Sequence, residues 1–374
     1  MINVNLNELI ALTDTLCRIP APSNHEELRA EFCEKYFKAF GADNAYTDEA
    51  LNVILPYCCD EFEDIAVIMA HTDTVFPDME PFAPEIRDNV MYCPGVADDT
   101  VHLAYLMLAA KSIVTGKLKP SCGLIFVANS GEEGLGNLKG VRAVMKKYGS
   151  RVKEFISLDA QYNKVVKVSV GSHRYKISCT AQGGHSYSAF GNSNAIHALS
   201  SLVCRLYDIK IPQVEGETTT YNVGIINGGT SVNTIAQSAE MLYEYRSTNR
   251  ECLAYMKNEF EKIYSQLQSE LAEKGVEFKA ELLGDRPCGG DIDPEKQEAL
   301  MERCKKALEK AYGEEIFYSS SSTDCNIPMS MGIPSTCFGI VKQAGTHKRE
   351  EHMFLDYLPG GIRAANEILS YYFK

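Results

Sequence analysis

The sequence predicts an α/β protein with a mostly parallel central sheet flanked by helices, interrupted by a smaller α+β insert. Between residues 64 and 170, short apolar runs alternate with helical stretches such as 101–113, the pattern of a parallel sheet covered by helices. Near residue 171 the pattern changes. Strands there alternate polar and apolar residues, as in Tyr175-Lys176-Ile177-Ser178-Cys179, which suits an antiparallel sheet with one wet face. At 374 residues the chain is also too long for one ordinary core, so two domains are expected.

Taken in order, a helical pattern runs over 7–18 and breaks at 19–22, and Ser23-Asn24-His25-Glu26 then reads as a capping box opening a second helix. His25 reads as a surface residue of that helix. The runs 64–70 (DIAVIMA), 123–129 (GLIFVAN) and 155–158 read as strands of the main sheet, with a helix over 101–113. The insert reads as strand 174–181, helix 194–207, strands 219–226 and 239–246, a long helix 251–274 stopped by Gly275, and strand 276–283. That gives a four-stranded antiparallel sheet backed by two helices. The segment 285–291 (DRPCGGD) serves as a hinge. Thereafter come a helix from Pro294 to Tyr312 capped by Gly313, strands at 316–319 and 336–341, and a terminal helix over 360–372. Residues 1–170 with 286–374 form one domain and 171–285 the insert.

The main-sheet strands lead into chemistry. His71 follows the first run, Glu132 and Glu133 the second, Asp159 the third, and His347 comes shortly after 336–341. In open α/β sheets ligands gather at the carboxyl ends of parallel strands, so these groups converge on one crevice. Asp98 stands just before the helix over 101–113, where its carboxylate also meets the positive end of the helix dipole. Imidazole nitrogens and carboxylate oxygens are donors that zinc takes, and a catalytic site keeps one position open for water. Without a cation, carboxylates at ~4 Å and an effective dielectric of ~20 would repel by roughly 4 kcal/mol per pair. Of the adjacent Glu132 and Glu133, one can coordinate while its neighbour stays free as a proton shuttle. Asp73 is placed to accept the other imidazole N–H of His71 and fix its tautomer. Asp99 rivals Asp98, and His352 rivals His347. His102, His173 and His197 have no motif around them and read as structural.

Composition narrows the function classes. The chain is 45% hydrophobic and 23% charged, an ordinary globular balance, and its net charge of -13 argues against nucleic acid or an anionic membrane as partner. The first residues lack a basic segment and carry Glu8 and Asp14, so they do not read as a secretory signal. No apolar run approaches ~18 residues, which excludes a membrane-spanning helix. Thirteen cysteines, an odd number without a C-x-x-C pair, read as small hydrophobes in a reducing cytoplasm rather than a disulfide framework.

Segments spread over nearly the whole chain resemble the co-catalytic zinc peptidases that include glutamate carboxypeptidase, aminoacylase and tripeptidase T. They are AHTDTV at 70–75, GVADD at 95–99, NSGEEG at 129–134, LDA at 158–160, GGHS at 183–186, GGTSVN at 228–233, STDCN at 322–326 and THKREEH at 346–352. Each alone is weak; their order is the family's. The resemblance implies a zinc-peptidase catalytic domain with an inserted lid or dimerisation domain, and a pair of divalent ions, zinc first, with cobalt or manganese as alternatives. It implies that His71 and Asp159 hold one ion, Glu133 and His347 the other, and Asp98 bridges them, with Glu132 as general base and Asp73 orienting His71. It further implies that His185 reaches the active site, often from the other subunit of a dimer, to donate to the developing oxyanion, and that Asn233 and Arg246 hold a substrate carboxylate. The implied substrates are short peptides, as for the tripeptidase T-like members. The alternatives are N-acyl amino acids or, from another class, a silent dimeric metal-binding homologue. Two departures bear on substrate preference: Thr100 and Val101 stand where a Lys and a Gly are usual, and His352 where an aromatic residue is usual.

Overall fold

The computed structural model describes residues 1–373. The chain forms two compact units, one built from Met1–Ser169 and the segment from Gly290 onward, the other from Val170–Gly289.

The first unit is organised around an eight-stranded sheet. Its spatial order is Tyr46–Thr47, Val53–Tyr57, Gly123–Asn129, Ile65–His71, Val152–Leu158, Ser335–Phe338, Lys164–Ser169 and Phe317–Ser321. Ile65–His71 pairs in parallel with Gly123–Asn129 and with Val152–Leu158, which pairs in parallel with Ser335–Phe338. Every residue of Ile65–His71 and of Gly123–Asn129 is buried, as expected for strands covered on both faces. One face carries the core that includes Phe126, Ile156 and the helix Val101–Thr115; the other packs Val67, Phe155 and the helix Lys139–Tyr148. Val101–Thr115 is apolar nearly all round, which is why it lies within the core rather than on the surface. A small sheet of Lys342–Ala344, His352–Phe354, Val90–Tyr92 and Glu85–Arg87 is separate from the large one.

The first turn of the second helix differs from the capping box expected of Ser23. The helix spans Glu27–Ala39, and Glu26 precedes it, accepting a hydrogen bond from the Asn24 amide (2.9 Å). Ser23 Oγ instead donates to the Asp73 carboxylate at 2.7 Å. A buried carboxylate is the stronger acceptor, so it takes the hydroxyl from the local helix.

The second unit is a four-stranded antiparallel sheet in the order Thr219–Gly228, Ser238–Ser247, Gly171–Thr180, Glu277–Arg286, with helices Ala195–Tyr207 and Arg250–Ala272. Ser238–Ser247 alternates buried and less buried residues along its length, and Tyr175, Tyr243, Tyr245 and Phe260 fill the core beneath. Asn194 and Asn249 cap the two helices through side-chain oxygens. The last strand runs past residue 285, where the sequence reading closes the insert. Arg286 pairs with Ser172, and the Cys288 thiol donates to the Ser247 carbonyl.

The approach of the terminal helix Leu358–Ser370 to the segment after Ser335–Phe338 depends on a missing side chain. A Cβ on Gly361 would lie 1.9 Å from the Ile340 carbonyl oxygen, which also accepts from the Tyr312 hydroxyl at 2.8 Å. Backbone cannot yield as a flexible side chain can, so Gly361→Ala should cost about 1–3 kcal/mol by overpacking. The expected outcome is a lower urea midpoint for the first unit; a wild-type midpoint would show that the two segments are not so closely packed.

Candidate metal centre

Three adjacent parallel strands deliver the first groups. His71 is the last residue of Ile65–His71, Glu132 and Glu133 lie in the loop that follows Gly123–Asn129, and Asp159 directly follows Val152–Leu158. Parallel pairing puts their carboxyl ends on one side. Asp98 sits in the turn Val96–Thr100 leading into the helix Val101–Thr115, and its peptide bond to Asp99 is cis. His347 is carried by the loop between Lys342–Ala344 and His352–Phe354.

These residues converge. His71 Nε2 is 3.1 Å from Asp98 Oδ1, and His347 Nε2 is 3.1 Å from both Asp98 Oδ2 and Glu133 Oε1. Ligand atoms of His71, Asp98 and Asp159 lie within 4.8 Å of one another, as do those of Asp98, Glu133 and His347. Asp98 therefore belongs to two groups and turns one carboxylate oxygen to each histidine. A third grouping joins His71, Glu132 and Glu133. Neither Asp99 nor His352 enters such a group among the described residues. His352 instead packs against Tyr92, with ring centroids 4.9 Å apart.

The donor set fits a divalent cation. His71 Nδ1 faces the main-chain oxygen of Asp73 at 3.0 Å, so Nδ1 carries the proton and the Nε2 lone pair points at a carboxylate oxygen. Two acceptors in that position need positive charge between them. A proton can supply it. Burial works against a charged His71, but Asp99, Asp73 and Asp98 outweigh it and raise its pKa well above the usual value. Hydrogen bonds to Asp98 and then Glu133 hold His347 up at about 11. The acidic groups show the same shortage of positive charge. Burial and then Asp98 push Glu133 to about 8 and Asp159 to about 6. Burial also acts to raise Asp98, but the two histidines pull it well below the carboxylate range. All the donors are nitrogen or oxygen, suited to zinc and to harder ions alike. The nearby Cys325 and Cys337 thiols are raised by burial and stay neutral.

Asp73 stands beside His71 as the sequence reading expects, but its main-chain oxygen is the nearer acceptor. The nearest partner of His71 Nδ1 is the Asp73 main-chain oxygen; the carboxylate oxygen is 3.6 Å away. The Asp73 carboxylate accepts the amides of Glu132 and Glu133, each at 3.0 Å, as well as the Ser23 hydroxyl. Its charge faces His71 and also fixes the backbone of the two glutamates.

Residues that the motif reading left without a role, and Asp99, its rival to Asp98, also serve the centre. Glu351, only 1% exposed, accepts the amides of Gly95 and Ala97 at 2.9 Å and of Asp98 at 3.1 Å, clamping the turn that presents Asp98. Gly95 at φ 71° allows that turn, and a Cβ there would meet Thr74 Cγ2 at 2.6 Å. Asp99 accepts the His71 amide at 2.8 Å. Asp324 accepts from Asn129 Nδ2 at 2.7 Å, and the Asn129 carbonyl accepts the Thr72 amide at 2.7 Å. Glu351 and Asp324 lie in segments THKREEH and STDCN, yet nothing in a single sequence separates Glu351 from the exposed Glu350 beside it.

The remaining site residues lie in the second unit. His185 pairs with Thr234 in a short ribbon and is exposed; its Nδ1 accepts the amides of Tyr187 and Ser188 at 3.3 Å, leaving Nε2 as the donor of the neutral ring. The Asn233 carbonyl accepts the Ser186 amide at 3.0 Å. The Arg246 guanidinium is engaged bidentately by Glu244, at 3.0 Å for each contact.

Comparison with known proteins agrees with this fold. A family model described as peptidase family M20/M25/M40 matches residues 67–371. A succinyl-diaminopimelate desuccinylase from Corynebacterium glutamicum is 24% identical over 355 residues, 92% of each chain. Aminopeptidase PepT from Bacillus cereus superposes with a TM-score of 0.76 at 19% identity, over 99% of this chain and 100% of that one. A tripeptidase from Staphylococcus aureus does so with a TM-score of 0.76 at 21% identity, over 98% of each. The two structures establish a shared fold with this protein. The family match covers most of the chain, which belongs to peptidase family M20/M25/M40, a family of metal-dependent hydrolases.

Proposed function

We propose that this protein hydrolyses an amide bond of short peptides at a centre of two divalent cations, zinc first, with cobalt or manganese as alternatives. The observation that carries the reading is Asp98, with one oxygen toward His71 and the other toward His347. His71 and Asp159 would hold one ion, Glu133 and His347 the other, and Asp98 both. Cations held there supply Lewis-acid polarisation of the substrate carbonyl and lower the pKa of bound water.

The protein's own groups do the rest. Glu132 takes the proton of the attacking water and returns it to the leaving amine, a contribution of about 100- to 10,000-fold. Asp73, through the two amides it accepts, keeps that carboxylate in register. His185 donates from Nε2 to the oxyanion of the tetrahedral intermediate, and Asn233 and Arg246 hold a substrate carboxylate. The tripeptidase and aminopeptidase among the structural relatives favour an exopeptidase acting on short peptides. The desuccinylase favours the second reading, an N-acyl amino acid as substrate.

A homodimer through the second unit is part of the proposal, supported by the strand Thr219–Gly228, which pairs on one side only and exposes Ile225 and Ile226. Thirteen free cysteines support a cytoplasmic location, and the net charge of -13 speaks against nucleic acid and anionic membranes as partners. No helix among the described residues is long and apolar enough to cross a membrane.

A panel of dipeptides, tripeptides and N-acetyl amino acids, assayed with defined metals, tests the substrate class. Short peptides should show the highest kcat/KM, and a far higher value for N-acetyl amino acids would select the second reading. Elemental analysis should find up to two divalent ions per chain, with most of both lost in Asp98→Ala. Glu132→Gln should keep its metal and lose about 100- to 10,000-fold in rate, whereas Glu133→Gln should weaken metal binding; exchanged phenotypes would reverse the two roles. His185→Ala should keep its metal and lose the equivalent of about 2.7–4 kcal/mol of transition-state stabilisation. Undiminished turnover would remove His185 from the mechanism.

A further inference from the structure

The helix Val101–Thr115 carries a histidine, fully buried, that no motif accounts for. His102 Nε2 accepts the Ile340 amide at 3.0 Å, so Nε2 carries no proton and the neutral ring bears its hydrogen on Nδ1. That nitrogen lies 2.6 Å from Asp99 Oδ1, with the Ala97 backbone as a second acceptor close to the ring. The other oxygen of Asp99 accepts the His71 amide at 2.8 Å. A continuous path therefore runs from the Ile340 backbone through His102 and Asp99 to the backbone of His71, and Asp99 is bonded directly to Asp98.

We infer that His102 is a positioning residue of the metal centre, fixing Asp99 so that His71 and Asp98 present their donor atoms together. The inference rests on the metal-centre reading above. Its chemistry is the orientation of a carboxylate by a histidine N–H behind metal-binding groups, whose loss typically costs 10- to 100-fold in affinity. Asp99 is fully buried, and His71 and the neighbouring carboxylates Asp98 and Asp159 also act on its charge, so the His102 N–H is the contact that can fix Oδ1. The Ile340 contact is equally specific, since it selects the tautomer that puts a donor rather than a lone pair toward Asp99.

Two substitutions separate the contacts. The Asn side-chain amide can overlay imidazole Nδ1, so His102→Asn keeps a donor toward Asp99 and gives up Ile340. In His102→Gln the side-chain oxygen can overlay Nε2, keeping Ile340 and giving up Asp99. Apo-protein is titrated with Co²⁺ and followed by its visible absorption, alongside thermal unfolding of the same apo samples. His102→Gln should bind Co²⁺ about 10- to 100-fold more weakly than wild type, and His102→Asn within a few-fold of it, although both lose one buried contact and melt below wild type. Equal affinities in all three proteins, or losses in both variants that follow their melting temperatures, would overturn the inference. Failure of wild type to bind Co²⁺ would instead overturn the metal-centre reading itself. A folding-independent check is the long-range ¹H–¹⁵N spectrum of histidine-labelled wild type: a buried ring protonated on Nδ1 supports the path, and one protonated on Nε2 refutes it.

Discussion

The structure depends on holding several carboxylates close together out of water. Asp98, Glu133, Asp159 and Glu132 lie within ligand distance of two histidines, and Asp73, Asp99, Asp324 and Glu351 are buried behind them. Like charges at such separations cost several kcal/mol per pair at a protein-like dielectric. The fold answers with main-chain amides. Glu351 takes three, Asp73 two and Asp99 one, so the backbone is both the counter-charge for the outer carboxylates and the thing they position. What amides cannot neutralise is left at the centre, where a cation belongs.

This arrangement explains why the parallel sheet and the site cannot be separated. The amides recruited by Asp73 come from the loop after Gly123–Asn129, and the amide recruited by Asp99 is that of the last residue of Ile65–His71. A register shift between these strands would break the centre and the core alike. Arg29 adds a buried cation from the second helix, donating to the carbonyls of Thr72, Leu16 and Ile19 and approaching the Thr100 hydroxyl at 3.4 Å. Thr100 replaces the lysine usual in the resembling family, yet positive charge is still found beside it.

The sheet was legible because buried parallel strands are unbroken apolar runs, and residues such as His71 and Asp159 stand out as polar groups at their ends. The insert was legible from its period of two, visible in Tyr175 to Cys179. The residues that hold the donors in place were not. Glu351 and Glu350 are chemically identical neighbours, and only the fold buries one of them. His102 lies in an apolar helix where a histidine reads as core filling, and Ser23 satisfies the local pattern of a helix cap while bonding a carboxylate fifty positions away. These contacts span large sequence separations and have no periodicity to betray them. Asp73 shows the same limit in milder form: spacing placed it beside His71, but the oxygen that meets the ring belongs to the backbone.

Arg246 illustrates how the charge economy extends to the second unit. Its guanidinium fork is already filled by Glu244, so a substrate carboxylate held there, as proposed, exchanges one charge-assisted pair for another. Glu244 need not be stranded by the exchange, because Arg174 Nε lies 3.4 Å from its Oε2. All three side chains are only partly buried, so solvent screens each pairing and the net gain is small. Recognition at Arg246 would then discriminate among substrates by whether they carry a carboxylate, adding little to overall affinity.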